Sequence, residues 1–104
     1  MRSAAFVSLL AVCMLPSLAQ AQSFNCRYAR TPDEVLICQD DHLAGLDVTL
    51  SRTYYQLRNN LYGGARRRLE ASQARWLASR KRCGRDYGCV ERRYQSRIRA
   101  LLNY

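Results

Sequence analysis

The sequence is poor in the residues that most chemistry needs: one histidine, one tryptophan and two prolines in 104 residues. No stretch alternates apolar and polar residues as a half-buried strand would, which argues against a sandwich or barrel. There is no GxSxG, no HExxH and no glycine-rich phosphate loop, so hydrolase, zinc-protease and nucleotide chemistry have no footing in the pattern. His42 stands alone near a helix start, where it reads as a surface residue rather than a general base. None of the cysteines forms a CxxC pair and His42 sits at no ligand spacing, which disfavours both a dithiol redox centre and a zinc site. The reading is therefore of a protein with no catalytic residues, no cofactor and no metal.

What is present begins with a leader. Arg2 gives a short positive start, Ala4 to Leu15 is apolar, and Ala19-Gln20-Ala21 is a small-x-small cleavage signal. The apolar run falls short of the ~20 residues that span a bilayer. Cys13 follows Val12 and the apolar run continues past it, so it reads as part of the leader rather than a lipid anchor. Residues 1–21 are expected to be a signal peptide, and residues 22–104 one small exported domain without a membrane-spanning segment.

That domain carries four cysteines, Cys26, Cys38, Cys83 and Cys89. An even count in an exported chain points to two disulfides. Of the three possible pairings, Cys26 with Cys38 and Cys83 with Cys89 are preferred, because each is local and spans a chain reversal.

The apolar spacing is helical throughout. Thr31-Pro32-Asp33-Glu34 is a helix start: a capping threonine, a proline at the first position, a glutamate completing a capping box, and acid at the positive end of the dipole. Val35, Ile37 and Cys38 follow, with an end near Gln39 or Asp40. Asp40 or Asp41 can cap a second helix, whose inner face is Leu43, Leu46, Leu50, Tyr54, Leu57 and Leu61, and which Gly63-Gly64 should end. A third helix is expected from about Ala65 to Arg82 with Leu69, Trp76 and Leu77 inward, stopped by Gly84. Asp86 can cap a fourth, with Val90, Tyr94, Ile98 and Leu101 inside. The fold class is all-α: a small disulfide-stapled bundle of one short and three longer helices, neighbours roughly antiparallel across short connections.

Polar side chains interrupt these apolar faces. Asp47 lies within a turn of Leu43, Leu46 and Leu50, while Gln73 and Arg80 flank Trp76 and Leu77. Buried polar groups are costly unless paired, so Asp47 is expected to meet Arg80 or Gln73 in a structural cluster that fixes helix register.

The order Cys26, Thr31-Pro32, Glu34, Ile37-Cys38, Leu43, Leu46-Asp47, Leu50, Tyr54, Gln73, Trp76-Leu77, Arg80, Cys83-Gly84, Cys89 and Tyr94 resembles the LprI-type lysozyme-inhibitor domain. The resemblance covers nearly all of residues 22–104. It implies a secreted or periplasmic, helical, disulfide-stapled bacterial envelope protein that inhibits lysozyme without performing a reaction. It supplies no catalytic residue.

Charge bears on the partner. Up to Ser51 the domain has two basic and five acidic residues; from Arg52 onward it has fourteen and three. All the basic residues but Lys81 are arginines, which favours bidentate contacts with carboxylate or phosphate. Common animal lysozymes are themselves basic, so long-range attraction to this domain would be poor. Either the acidic stretch Asp33, Glu34, Asp40, Asp41 and Asp47 faces the enzyme, or an arginine enters a cleft that works through two carboxylates. The second reading is a polyanion-binding module for lipopolysaccharide or another anionic envelope polymer; export argues against nucleic acid. Arg66, Arg67, Arg68, Lys81, Arg82 and Arg85 are the candidate binding surface on either view, with Tyr55, Tyr62, Tyr87 and Tyr104 free to add contact area. The oligomeric state is left open.

Overall fold

The computed structural model describes residues 23–104; the leader, its cleavage site and Cys13 lie outside the described residues. A single 3-10 turn at Cys26–Tyr28 precedes four helices: α1 Pro32–Gln39, α2 Asp41–Asn59, α3 Gly63–Arg82 and α4 Tyr87–Leu102. No strand occurs among the described residues.

The helix starts follow local chemistry. At α1 the Glu34 side chain accepts from the Thr31 amide and hydroxyl, at 3.3 and 2.7 Å, with Pro32 at the first helical position. Asp40 caps α2 by accepting from the Leu43 amide at 2.9 Å, and Asp86 caps α4 through the Cys89 amide at 3.1 Å. Each supplies an acceptor to an amide the helix leaves unpaired, a contribution of about 1 kcal/mol apiece.

The Gly63-Gly64 pair does not end α2. That helix stops at Asn59, where the amide of Asn60 bonds back to Leu57 and its side chain to the Gln56 carbonyl at 2.9 Å. Asparagine thus closes the helix before the glycines are reached, and Gly63, with φ of 53°, turns the chain into α3. Gly84, with φ of 59°, follows the end of α3 as its stop.

The core is Ile37 from α1, Leu43 and Leu50 from α2, Leu69 from α3, and Val90, Tyr94 and Leu101 from α4. Phe24, Leu46, Tyr54, Leu57, Trp76 and Ile98 pack around it, half-buried. Leu77, expected inside, is 40% exposed. The reason is architectural: α2 packs chiefly on α4 and touches α3 only sparsely, which leaves an open groove that Leu77 borders.

Disulfides brace both ends of this small core. Cys26 is bonded to Cys38, tying the 3-10 turn to the last turn of α1, and Cys83 to Cys89, closing the α3–α4 turn; their Cα separations are 5.8 and 5.6 Å. Both separations lie in the ordinary range for unforced bridges.

Candidate functional site

The polar residues inside the bundle form one connected cluster, with one member from each helix. Arg80 of α3 donates from Nε to Asp33 Oδ2 of α1 at 2.8 Å, and from Nη1 to the Tyr94 hydroxyl of α4 at 3.0 Å. The Tyr94 hydroxyl donates in turn to Asp47 Oδ1 of α2 at 2.9 Å, and Arg80 Nη1 lies 3.9 Å from the same oxygen. Asp33, Asp47 and Arg80 are all at most 5% exposed, and Tyr94 is fully buried.

The N-terminal segment closes the cluster. The Ser23 amide and hydroxyl both donate to Asp47, at 2.7 and 2.8 Å. Phe24, Trp76 and Tyr94 surround the guanidinium, with ring centroids 5.5 to 6.0 Å from its central carbon. Such desolvated cation–ring contacts add to the ion pair. Trp76 is itself held edge-on to Tyr94 at 5.0 Å, and its indole N–H donates to the Arg93 carbonyl at 3.0 Å.

Electrostatics follow from this packing. Burial alone would raise the Asp33 carboxyl, but hydrogen bonding and the charge of Arg80 more than offset it and leave the group below its ordinary range. Burial drives the Tyr94 phenol well above its ordinary value, so it remains a neutral donor at any physiological pH. These groups largely satisfy one another across all four helices, although the second carboxylate oxygen of Asp33, Oδ1, is buried without a hydrogen-bond partner among the described residues.

Of the residues expected to pair, Asp47 and Arg80 are brought together, chiefly through the Tyr94 hydroxyl. Gln73 is elsewhere: its carbonyl accepts from Arg97 Nε at 3.0 Å, and Arg97 also reaches the Ser72 hydroxyl at 2.9 Å. The principal partner of Arg80 is Asp33, a residue the sequence places at the acidic helix start. Its four-residue spacing to buried Ile37 is the signal that it faces inward. Because Asp33 is wholly buried and Asp47 nearly so, neither is available to an external basic surface; of the acidic stretch only Glu34, Asp40 and Asp41 retain exposure.

The six candidate surface residues separate into two groups. Arg66, Arg67 and Arg68 lie in the first turns of α3, whereas Lys81, Arg82 and Arg85 surround the α3–α4 turn, roughly 20 Å away at 1.5 Å per helical residue. None of the six has a carboxylate partner within ion-pair distance among the described residues; the ion pairs there are Arg80 with Asp33 and Asp47 and Arg58 with Glu70, while His42 Nε2 is hydrogen-bonded to Glu91. Tyr55, Tyr62, Tyr87 and Tyr104 are exposed, and Tyr28 joins them.

Two grooves open on the surface. The larger, about 650 Å³, runs between α2 and α3 and is bordered by Phe24, Glu34, Tyr54, Tyr55, Glu70 and Leu77, with the buried cluster beneath. The smaller, about 380 Å³, lies between α3 and α4 and is lined by Trp76, Ser79, Cys89, Arg92, Arg93 and Ser96. No group of three or more His, Cys, Asp and Glu able to hold a metal occurs among the described residues, and no described helix is long and apolar enough to cross a membrane.

This arrangement is a small, disulfide-braced, all-helical body whose buried polar side chains bond chiefly to one another. Compared with known proteins, the chain matches the family model described as lysozyme inhibitor LprI over residues 26–101, and it belongs to that family. It is similar to the proteins named lipoprotein LprI of Mycobacterium bovis and Mycobacterium tuberculosis, in each case 35% identical over 80 residues, 74% of this chain and 39% of the relative. The chain therefore spans about two-fifths of the length of these curated relatives. No solved structure matches it.

Proposed function

We propose that this protein is an exported inhibitor of lysozyme that acts by non-covalent occlusion of the enzyme and catalyses nothing itself. The observation that carries the reading is the extent of the family match: residues 26–101 take in both disulfides, the four helices but for the last residue of α4, and every member of the Asp33–Arg80–Tyr94–Asp47 cluster. The unit shared with the inhibitor family is thus the whole braced body rather than a fragment of it.

The physics of the surface suits short-range recognition. A braced helical body loses little conformational entropy on binding, and exposed Tyr28, Tyr55, Tyr62, Tyr87 and Tyr104 supply the amphipathic contact area that protein interfaces favour. With so basic a surface, affinity for a basic lysozyme would arise from contact chemistry rather than long-range steering. The leader, residues 1–21, would deliver the domain outside the cytoplasm, where such an enzyme is met.

The test is direct. Purified disulfide-bonded protein, added to a suspension of bacterial cell walls, should slow lysis by lysozyme at near-stoichiometric ratios. Unchanged lysis in the presence of a large molar excess removes the proposal.

A further inference from the structure

The α3–α4 groove has a lining that the inhibitor reading does not use. Arg92 and Arg93 are exposed on α4, and neither has an ion-pair partner among the described residues. The nearest α4 acids are otherwise engaged: Glu91 is held by His42 at 2.8 Å and Asp86 caps the helix. Across the groove stands Trp76, whose indole N–H is fixed by the Arg93 carbonyl, so the ring's position is set before any ligand arrives. Ser79 donates its hydroxyl to the Trp76 carbonyl at 2.6 Å and keeps its oxygen as an acceptor, and Ser96, exposed on α4, makes no side-chain hydrogen bond among the described residues. Helical spacing puts Arg75 and Arg82, both exposed, one turn to either side of Ser79 and extends the positive border.

We propose that this groove is a binding site for an anionic saccharide, a sugar carrying phosphate or carboxylate. The division of labour follows from the lining. Arg92 and Arg93, consecutive on α4, both line the groove and have no ion-pair partner among the described residues; a guanidinium so placed suits a phosphate or carboxylate, which it can grip in bidentate fashion. A half-buried indole offers the flat apolar surface on which the C–H face of a sugar ring packs. The serine hydroxyls provide neutral partners for sugar hydroxyls, and a concave site with few convergent polar groups is the usual form of a small-ligand pocket. A purely anionic ligand would leave Trp76 unused, and a neutral sugar would leave Arg92 and Arg93 unneutralised. The inference does not rest on lysozyme inhibition, since it is argued from the lining of the α3–α4 groove alone.

Trp76 is the sequence's single tryptophan and borders both grooves, so its fluorescence reports binding without labelling, and a variant of Arg92 and Arg93 assigns the change to the α3–α4 groove. Purified disulfide-bonded protein would be titrated at low salt with N-acetylglucosamine 1-phosphate, and in parallel with N-acetylglucosamine and with inorganic phosphate. The expected result is a saturable emission change with the sugar phosphate, and binding weaker by roughly tenfold or more for either part alone. Arg92→Gln with Arg93→Gln should weaken the sugar phosphate to the same degree, while Arg66→Gln with Arg67→Gln, at the far end of α3, should leave it within about twofold. Vesicles containing a phosphorylated glycolipid, compared with neutral vesicles and with free sugar phosphate as competitor, separate a lipid-borne source from a free one. Equal binding of inorganic phosphate, an equal loss in the Arg66/Arg67 variant, or no emission change up to about 10 mM sugar phosphate would each overturn the proposal.

Discussion

Arg80 and Asp33 lie 47 residues apart in the chain and meet at 2.8 Å in an environment from which both are almost wholly excluded from water. That contact joins the shortest helix to α3, and through Tyr94 and Asp47 the other two helices share the same guanidinium. A buried ion is tolerated only when its hydrogen-bonding capacity is met. Removing one member therefore leaves a neighbour short of a partner in a site that water does not reach.

Asp33→Ala leaves Arg80 with its Nε donor unpaired in a dry site. The expected loss is about 3–5 kcal/mol of unfolding free energy, enough to unfold a domain of this size at elevated temperature. Thermal unfolding followed by circular dichroism would measure it. The double variant Asp33→Leu with Arg80→Met should recover much of that loss, because two apolar groups of similar volume need no partner; a double variant no more stable than Asp33→Ala would mean that packing, not charge, dominates at this site.

Tyr94→Phe isolates the hydroxyl. The ring keeps its edge-on contact with Trp76, but the bond donated to Asp47 and the one accepted from Arg80 disappear. A loss of about 1–3 kcal/mol is expected, with Trp76 fluorescence nearly unchanged. A variant as stable as the parent would show that the hydroxyl bridges nothing of consequence.

The apolar skeleton of this fold is written locally, and the sequence discloses it. Leu43, Leu50, Leu69, Val90, Tyr94 and Leu101 fall at helical intervals, and Thr31, Asp40 and Asp86 announce helix starts within a turn of where they act. Asp47 and Arg80 are also legible, as polar residues on apolar faces. What spacing does not convey is who meets whom. Asp33 carries two compatible messages, a first-turn acid suited to the dipole and a residue sharing a face with Ile37, and only the placement of α3 decides for the second. Gln73 turns to Arg97 because α3 and α4 pack there, and Leu77 is exposed because α2 and α3 diverge. These outcomes depend on crossing geometry between helices, to which a one-dimensional pattern is blind.

The two bridges should contribute unequally. In the chain-entropy view the 12-residue separation of Cys26 and Cys38 gives about 3 kcal/mol and the 6-residue separation of Cys83 and Cys89 about 2 kcal/mol. Replacing each pair with serine and measuring denaturant midpoints should reproduce that order. The first pair has a second role, since α1 holds Asp33 against Arg80; its removal should therefore also diminish the effect of Asp33→Ala in a double-mutant comparison. Strictly additive losses would separate the bridge from the cluster.

Acid should loosen the same contact, in a direction that can be worked out. Asp33 has its folded-state pKa lowered below the ordinary 3.8, so the folded protein holds the proton less readily than the unfolded chain. Where the unfolded state binds more protons, stability rises with pH. The contribution from Asp33 is thus fully present above the unfolded value, near pH 4 and upward, and is lost as pH falls through the lowered folded value. Melting temperature should accordingly be flat with respect to this group from neutral pH to about pH 5 and fall below pH 4. Asp33→Asn removes the titrating group while leaving an acceptor for Arg80, so its melting temperature should start lower at neutral pH and decline less steeply below pH 4. Parallel acid profiles for the parent and Asp33→Asn would mean that the loss arises from other carboxylates.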